Sequence, residues 1–157
     1  MSPVSSRRMC RLPAVLSLLL GLSLTLGGCA TTGSVSATDE SQGADLACAL
    51  PTRCVNSLPG SGLLPLRFEG TAPEAIAALK TTLAAFPEAR IEKTGPLSLE
   101  AVFTTRLGFQ DRVTFRIDTT RQRIDFRSRS LLGLYDLGKN RSRMEAFAER
   151  FAQDHPR

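Results

Sequence analysis

Two runs in the second half of the chain alternate with period two, and this alternation constrains the fold more than any other feature. Val113, Phe115 and Ile117 interleave with Arg112, Thr114, Arg116 and Asp118, and Ile124 and Phe126 interleave with Arg123, Asp125 and Arg127. Successive strand side chains point to opposite faces. Each run therefore has one apolar and one charged face, which suits an antiparallel sheet with one solvated side. A turn around Thr120 and Arg121 sets the register. Asp118 then lies opposite Arg123, Ile117 opposite Ile124, Arg116 opposite Asp125 and Phe115 opposite Phe126. Such cross-strand pairs contribute about 0.2–1 kcal/mol each, and a one-residue slip would set Ile and Phe against Arg and Asp. The outer-face charge thus has a structural reading, a self-paired solvated face, beside the competing reading of a binding surface.

The remaining elements follow the same logic. Leu66 and Phe68 share a face of a first strand over residues 65–69. Thr71 and Glu74 form a capping box, with Pro73 in the first helical turn, where it is tolerated. Ile76, Leu79, Leu83 and Phe86 make one apolar helical stripe, which Pro87 ends. Residues 89–93 read as a short strand, and Leu97, Leu99, Ala101 and Phe103 share a face of the next. A loop is expected over residues 129–138. The last helix begins near Asn140 or Ser142, with Ser142 and Glu145 as a second capping box and Asn140 as the alternative cap. Met144, Phe147 and Phe151 form its stripe. The fold class is α+β: an antiparallel sheet of about four to five strands with two helices packed on one face.

The first residues belong to export rather than to the fold. Arg7, Arg8 and Arg11 precede a 15-residue apolar run, residues 12–26, shorter than the roughly 20 residues a membrane-spanning helix needs. That is the layout of a secretory signal peptide. Its exit, Leu26-Gly27-Gly28-Cys29, resembles the bacterial lipobox, in which cleavage falls before a Cys that carries a diacylglycerol. The expected organisation is a leader over residues 1–28, lipidated Cys29 with a flexible tether to residue 47, and one domain over residues 48–157. Such a tether reaches roughly 20–25 Å. Ala30 after the Cys favours the outer membrane, facing the periplasm, if the source is Gram-negative.

The leader changes what the composition means. Of four Cys, Cys10 leaves with it and Cys29 takes lipid. Cys48 and Cys54 remain in an oxidising compartment, where a disulfide is their expected fate. His155 is the only His, close to the C-terminus, and reads as a frayed, solvated side chain, so no metal site is expected. Losing the leader's three Arg takes the formal charge from +5 to +2. Residues 29–105 carry a net −3 and residues 106–157 a net +5.

One segment breaks a rule. Lys139, Arg141 and Arg143 crowd a helix start, which carries partial positive charge and prefers anions. Either internal acids, Asp136, Asp125 or Glu145, pair with them, or Arg129, Asp136, Asn140, Arg141 and Arg143 form an anion-binding site.

Several of these residues carry a family resemblance. Cys48-x5-Cys54-Val55-Asn56-Ser57, the helix after Glu69-Gly70, the strands ending at Arg127-Ser128, and Asp136-Leu137-Gly138-x-Asn140-Arg141-x-Arg143-x-Glu145 together resemble domain of unknown function family 1499, over roughly residues 47–151. The family pattern has Asn before the second Cys and Val-Ser-Ser after it, where Arg53 and Val55-Asn56-Ser57 stand here. Its Arg-Ser-Ala-Ser-Arg run appears as Arg127-Ser128-Arg129-Ser130-Leu131. Members are bacterial and plant proteins of about this size, often with a lipoprotein leader. The resemblance implies no established activity.

No G-x-S-x-G elbow, phosphate loop or metal cluster is present, so no catalytic residue and no cofactor is assigned. Scarce aromatics and the modest mature charge argue against nucleic acid. The reading is a lipid-anchored, non-catalytic envelope module, held to the membrane through Cys29 and binding an envelope protein or an anionic component. A hydrolase or transferase with a site near residues 136–143 is the alternative.

Overall fold

The computed structural model describes residues 45–156. The leader, Cys29 and the tether up to residue 44 lie outside the described residues. A three-residue 3-10 turn, Pro51–Arg53, leads into β1 (Cys54–Asn56). Then come β2 (Leu66–Arg67), α1 (Ala72–Ala84), β3 (Ala89–Thr94), β4 (Ser98–Thr104), β5 (Gln110–Asp118), β6 (Arg123–Ser130) and α2 (Lys139–Asp154). The sheet is antiparallel in the order β1-β6-β5-β4-β3, and β2 also pairs with β6, alongside Arg123 and Ile124. The architecture is α+β with six strands. The extra strand, β1, is three residues long, too short to show a period, and the Cys48–Cys54 disulfide ties its first residue to the segment before it. The expected first strand shortens to β2.

The β5–β6 register is the one the alternation predicts: Asp118 faces Arg123, Ile117 Ile124, Arg116 Asp125 and Phe115 Phe126. Of the facing charge pairs, Asp118 with Arg123 stays within ion-pair range, whereas Arg116 and Asp125 take other partners. Arg123 Nε binds Asp125 at 2.9 Å and stands 3.8 Å from Asp118. Asp118 binds Arg121 at 3.0 Å, and Arg116 pairs with Asp45. The outer face is also less solvated than expected. Val102, Thr114 and Asp125 are buried there, because the segment entering β1 lies over it. Asn56 Nδ2 donates to the Leu46 carbonyl at 2.9 Å and Arg127 to the Ala47 carbonyl at 3.3 Å, while just after β1 the Ser57 hydroxyl donates to Asp125 at 3.1 Å.

Both helices cover the inner face. Ile76, Leu79 and Leu83 of α1, and Met144, Phe147 and Phe151 of α2, pack on Leu99, Phe103, Val113, Phe115, Ile117, Ile124 and Phe126. Phe86 closes the stripe of α1, 6.0 Å from Phe103 and 5.6 Å from Phe147 between ring centroids. The capping box of α1 forms, with Glu74 accepting from the Thr71 amide and hydroxyl at 2.7 Å each. These bonds hold the Glu74 carboxyl below its ordinary value. His155 is not frayed: its ring lies 5.0 Å from that of Phe151, tilted at 53°, and its Nε2 is 3.3 Å from the Ala78 carbonyl.

The free edge is β3, where a bulge interrupts the pairing with β4 between Ile91 and Lys93. Two other boundaries differ from expectation. β6 runs on through Ser130, so Arg129 belongs to a strand rather than a loop. Helix α2 is capped by neither Asn140 nor Ser142. Gly138 is its N-cap, at φ 77°, a left-handed conformation that suits Gly. The side chain that binds the free amides is Asp136, which accepts from Gly138 N at 3.0 Å and Asn140 N at 2.9 Å. The Ser142 hydroxyl instead donates back to the Lys139 carbonyl at 3.2 Å.

Candidate functional site

At the end of the sheet where β5 begins and β6 finishes, the inner face turns polar. Strand alternation puts Asp111 in line with Val113, and Ser128 and Ser130 in line with Phe126, and all three are buried. Buried polar groups need partners, and the start of α2 supplies them. Asn140, with no exposed surface, donates from Nδ2 toward Asp136 at 2.7 Å, Ser130 Oγ at 3.0 Å and the Arg53 carbonyl at 3.2 Å. Its Oδ1 accepts from Ser128 Oγ at 2.5 Å and Arg143 Nη1 at 3.3 Å. Ser130 Oγ donates to Asp111. Arg143 binds the other Asp111 oxygen at 2.8 Å, with its guanidinium 4.9 Å over the Phe103 ring. These are charge-assisted contacts in a nearly dry setting, since only 10% of the Arg143 side chain and 5% of that of Asp111 are exposed.

Beside this network, at the β1 edge of the sheet, lies an open cleft of about 680 Å³. It is lined by the Cys48–Cys54 disulfide, Asn56, residues 58–61, and Asp136, Gly138 and Arg141. Arg141 is tied across its rim: Nη2 donates to the Ser61 carbonyl at 3.0 Å and Nη1 lies 3.6 Å from Glu145.

The structure therefore separates the five residues expected to form one anion site. Asp136 and Arg141 line the cleft, Asn140 lies in the polar network and Arg143 is held by Asp111. Arg129 points to the opposite face of the sheet. Of the acids named as internal partners, Glu145 reaches Arg141. Asp136 binds helix amides and Asn140, and Asp125 binds Arg123. The acid that holds Arg143, Asp111, was not anticipated. Its charge suggests an outward residue, while its phase with Val113 places it inward.

On the outer face, the same register continued past Phe115–Phe126 sets Arg127 opposite Thr114 and Arg129 opposite Arg112. Like charges directly opposed are unfavourable. Arg112 reaches Glu92 at 3.3 Å, Arg116 pairs with Asp45, and Arg127 has the Ala47 carbonyl. The Arg129 side chain has no hydrogen bond or ion pair among the described residues, and its Nε is buried without a partner, as are those of Arg112 and Arg127. Burial, then repulsion from Arg129 and Arg116, holds the Arg127 guanidinium below its usual value, with Asp45 and Glu100 opposing. Sequence reasoning read this face as self-paired. The signal it missed was the continuation of β6, which brings three arginines, Arg112, Arg127 and Arg129, onto adjacent positions of one face.

Among the described residues no group of three His, Cys, Asp or Glu side chains is placed to hold a metal ion. No curated protein sequence matches the chain. The family model described as "Protein of unknown function (DUF1499)" matches residues 34–151, which takes in all six strands, α1, the cleft-lining segments and most of α2. The chain belongs to that family.

Proposed function

We propose that this protein is a lipid-anchored, non-catalytic module of the cell envelope that binds an anionic envelope component. In this reading Cys29 carries the anchor, and the outer-face arginines Arg112, Arg127 and Arg129 receive the anion. The observation that carries it is the Arg129 guanidinium, unpaired among the described residues, facing Arg112 across the strands and beside Arg127. Three crowded cations cost stability unless a negative group comes between them. Guanidinium groups also match the oxygens of phosphate and carboxylate bidentately. A non-catalytic role is supported by the engagement of the polar groups in residues 136–143. Asp136 holds the amides of α2, Asn140 is fully hydrogen-bonded, and Asp111 holds Arg143.

The test is calorimetric titration of the exported chain with pyrophosphate and with a short polyglutamate peptide, in low salt. Arg129→Ala should weaken binding at least several-fold, whereas Arg141→Ala, which changes the cleft, should not. Equal binding by wild type and Arg129→Ala would refute the outer-face site. Loss only in Arg141→Ala would return the anion to the start of α2. Mass spectrometry of the exported protein tests the anchor, which Cys29→Ser should abolish.

A further inference from the structure

Loop 131–138 and the turn 105–109 leave the same end of the sheet. β6 ends and antiparallel β5 begins there, and Leu131 N donates to the Gln110 carbonyl at 2.9 Å. Together they carry Leu107, Phe109, Leu132, Leu134, Tyr135 and Leu137, each between 56% and 90% exposed. Six large apolar side chains are thus left exposed on two loops at one end of the sheet, and clustered exposed apolar groups mark interaction surfaces.

The loop is fastened from behind. The Thr52 hydroxyl donates to the Leu134 carbonyl at 2.7 Å, Arg53 Nη1 to the Gly133 carbonyl at 3.0 Å, and Asp136 N to the Thr52 carbonyl at 3.3 Å. Three of its backbone polar groups are thus bound by residues 52–53, while its large apolar side chains stay exposed. Leu137 is the most exposed of them and sits at φ 53°, a left-handed conformation unfavourable to Leu. The two hydrogen bonds of the Asp136 carboxylate to the amides beyond it keep it there.

We infer that this apolar end is a bilayer-contact surface, which seats the domain on an anionic lipid membrane. Three observations select lipid over a protein groove. The six side chains stand on two exposed loops, and none of them lines the cleft at the β1 edge. Arg106 in the turn and Lys139 just after the loop flank them with exposed positive charge, the arrangement of an apolar wedge among headgroup-binding cations. Tyr135, the only Tyr of the chain, stands among the leucines, and Tyr favours the membrane–water interface. The inference draws on the proposed anchor at Cys29 for proximity alone. A tether from Cys29 to Asp45 keeps the domain within roughly 20–25 Å of the lipid.

The chain contains no Trp, so Tyr135→Trp supplies a single fluorescent reporter at the patch, and Leu97→Trp one at the opposite end of the sheet. Each full-length lipidated variant is reconstituted into vesicles of phosphatidylethanolamine and phosphatidylglycerol carrying brominated acyl chains. Bromine should quench the residue-135 reporter at least twofold more than the residue-97 reporter. Adding Leu134→Ser and Leu137→Ser should remove that difference. Equal quenching of the two reporters in anchored protein overturns the surface and leaves the anchor standing. A residue-135 emission already blue-shifted without vesicles, and unchanged by them, also overturns it and assigns the patch to a protein, a second copy or another segment of this chain. If the purified chain proves to carry no lipid, the anchor fails. The same comparison with excess vesicles then decides the surface by itself.

Discussion

Replacing Arg143 by Met would strip Asp111 of its cationic partner while keeping most of the side-chain volume. The two are 2.8 Å apart and nearly excluded from water. Leaving one member of a buried pair uncompensated costs about 3–5 kcal/mol. The lost guanidinium over Phe103 contributes about 0.5–2 kcal/mol of interaction within that total. With an unfolding entropy near 2 cal/mol/K per residue over ~110 residues, this corresponds to a fall in Tm of roughly 13–22 °C. Urea titration followed by circular dichroism measures it, with coincident near- and far-UV transitions as the check for two-state behaviour. The companion is the double variant Asp111→Asn/Arg143→Met. The introduced amide would keep an oxygen for Ser130 and carry no charge, so the double variant should be more stable than Arg143→Met alone by about 1 kcal/mol or more. A cost below ~1 kcal/mol for the single variant, or simple additivity in the cycle, would refute the claim that Arg143 is committed to the fold.

Asp136→Ala removes the carboxylate bound to the amides of Gly138 and Asn140 and should cost about 1–2 kcal/mol; hydrogen exchange should quicken in the first turn of α2 and not beyond it. Asn140→Ala orphans Ser128 and the Arg53 carbonyl and should cost about 2–3 kcal/mol by urea titration. Burial pushes the Asp118 carboxyl up, but its bonds from the Arg121 amide and guanidinium, together with the charge of Arg123, outweigh that and leave it lowered. Its contribution is therefore full above the unfolded value of about 3.9 and is lost as pH falls through the lower folded value. Asp118→Asn should accordingly destabilise at neutral pH and converge with wild type as the pH falls through the lowered folded value. Replacing Cys48 and Cys54 by Ser opens a short loop and should cost about 2 kcal/mol, measured as a lower urea midpoint.

What the sequence disclosed depends on how local the signal is. The pairing of Phe115 with Phe126 and the stripe of α1 follow from periodicity within a few residues, and both appear as expected. The expectation for α2 erred because a Ser with Glu three residues later reads as a capping box. The cap that forms comes from Asp136, reaching across a Gly whose positive φ no pattern announces. The five-residue anion site failed to assemble for a related reason. Proximity in sequence puts Arg129 and Arg143 close together, but Arg129 leaves β6 on the outer face while Arg143, from α2, lies with Asp111 on the inner one. Asp111 was illegible because its role depends on a contact with Arg143, far along the chain.

The two short strands that share β6 have a consequence for solubility. Since β1 and β2 together occupy one border of the sheet, β3 is the border left open to strand addition from another molecule. That border holds Arg90, Glu92 and Lys93, with Glu92 tied to Arg90 and Arg112 and the bulge breaking its straight run. Charge and bulge are the devices by which natural sheets refuse edge-to-edge aggregation. The border at which another copy could add a strand is thus the one that charge and a broken register guard.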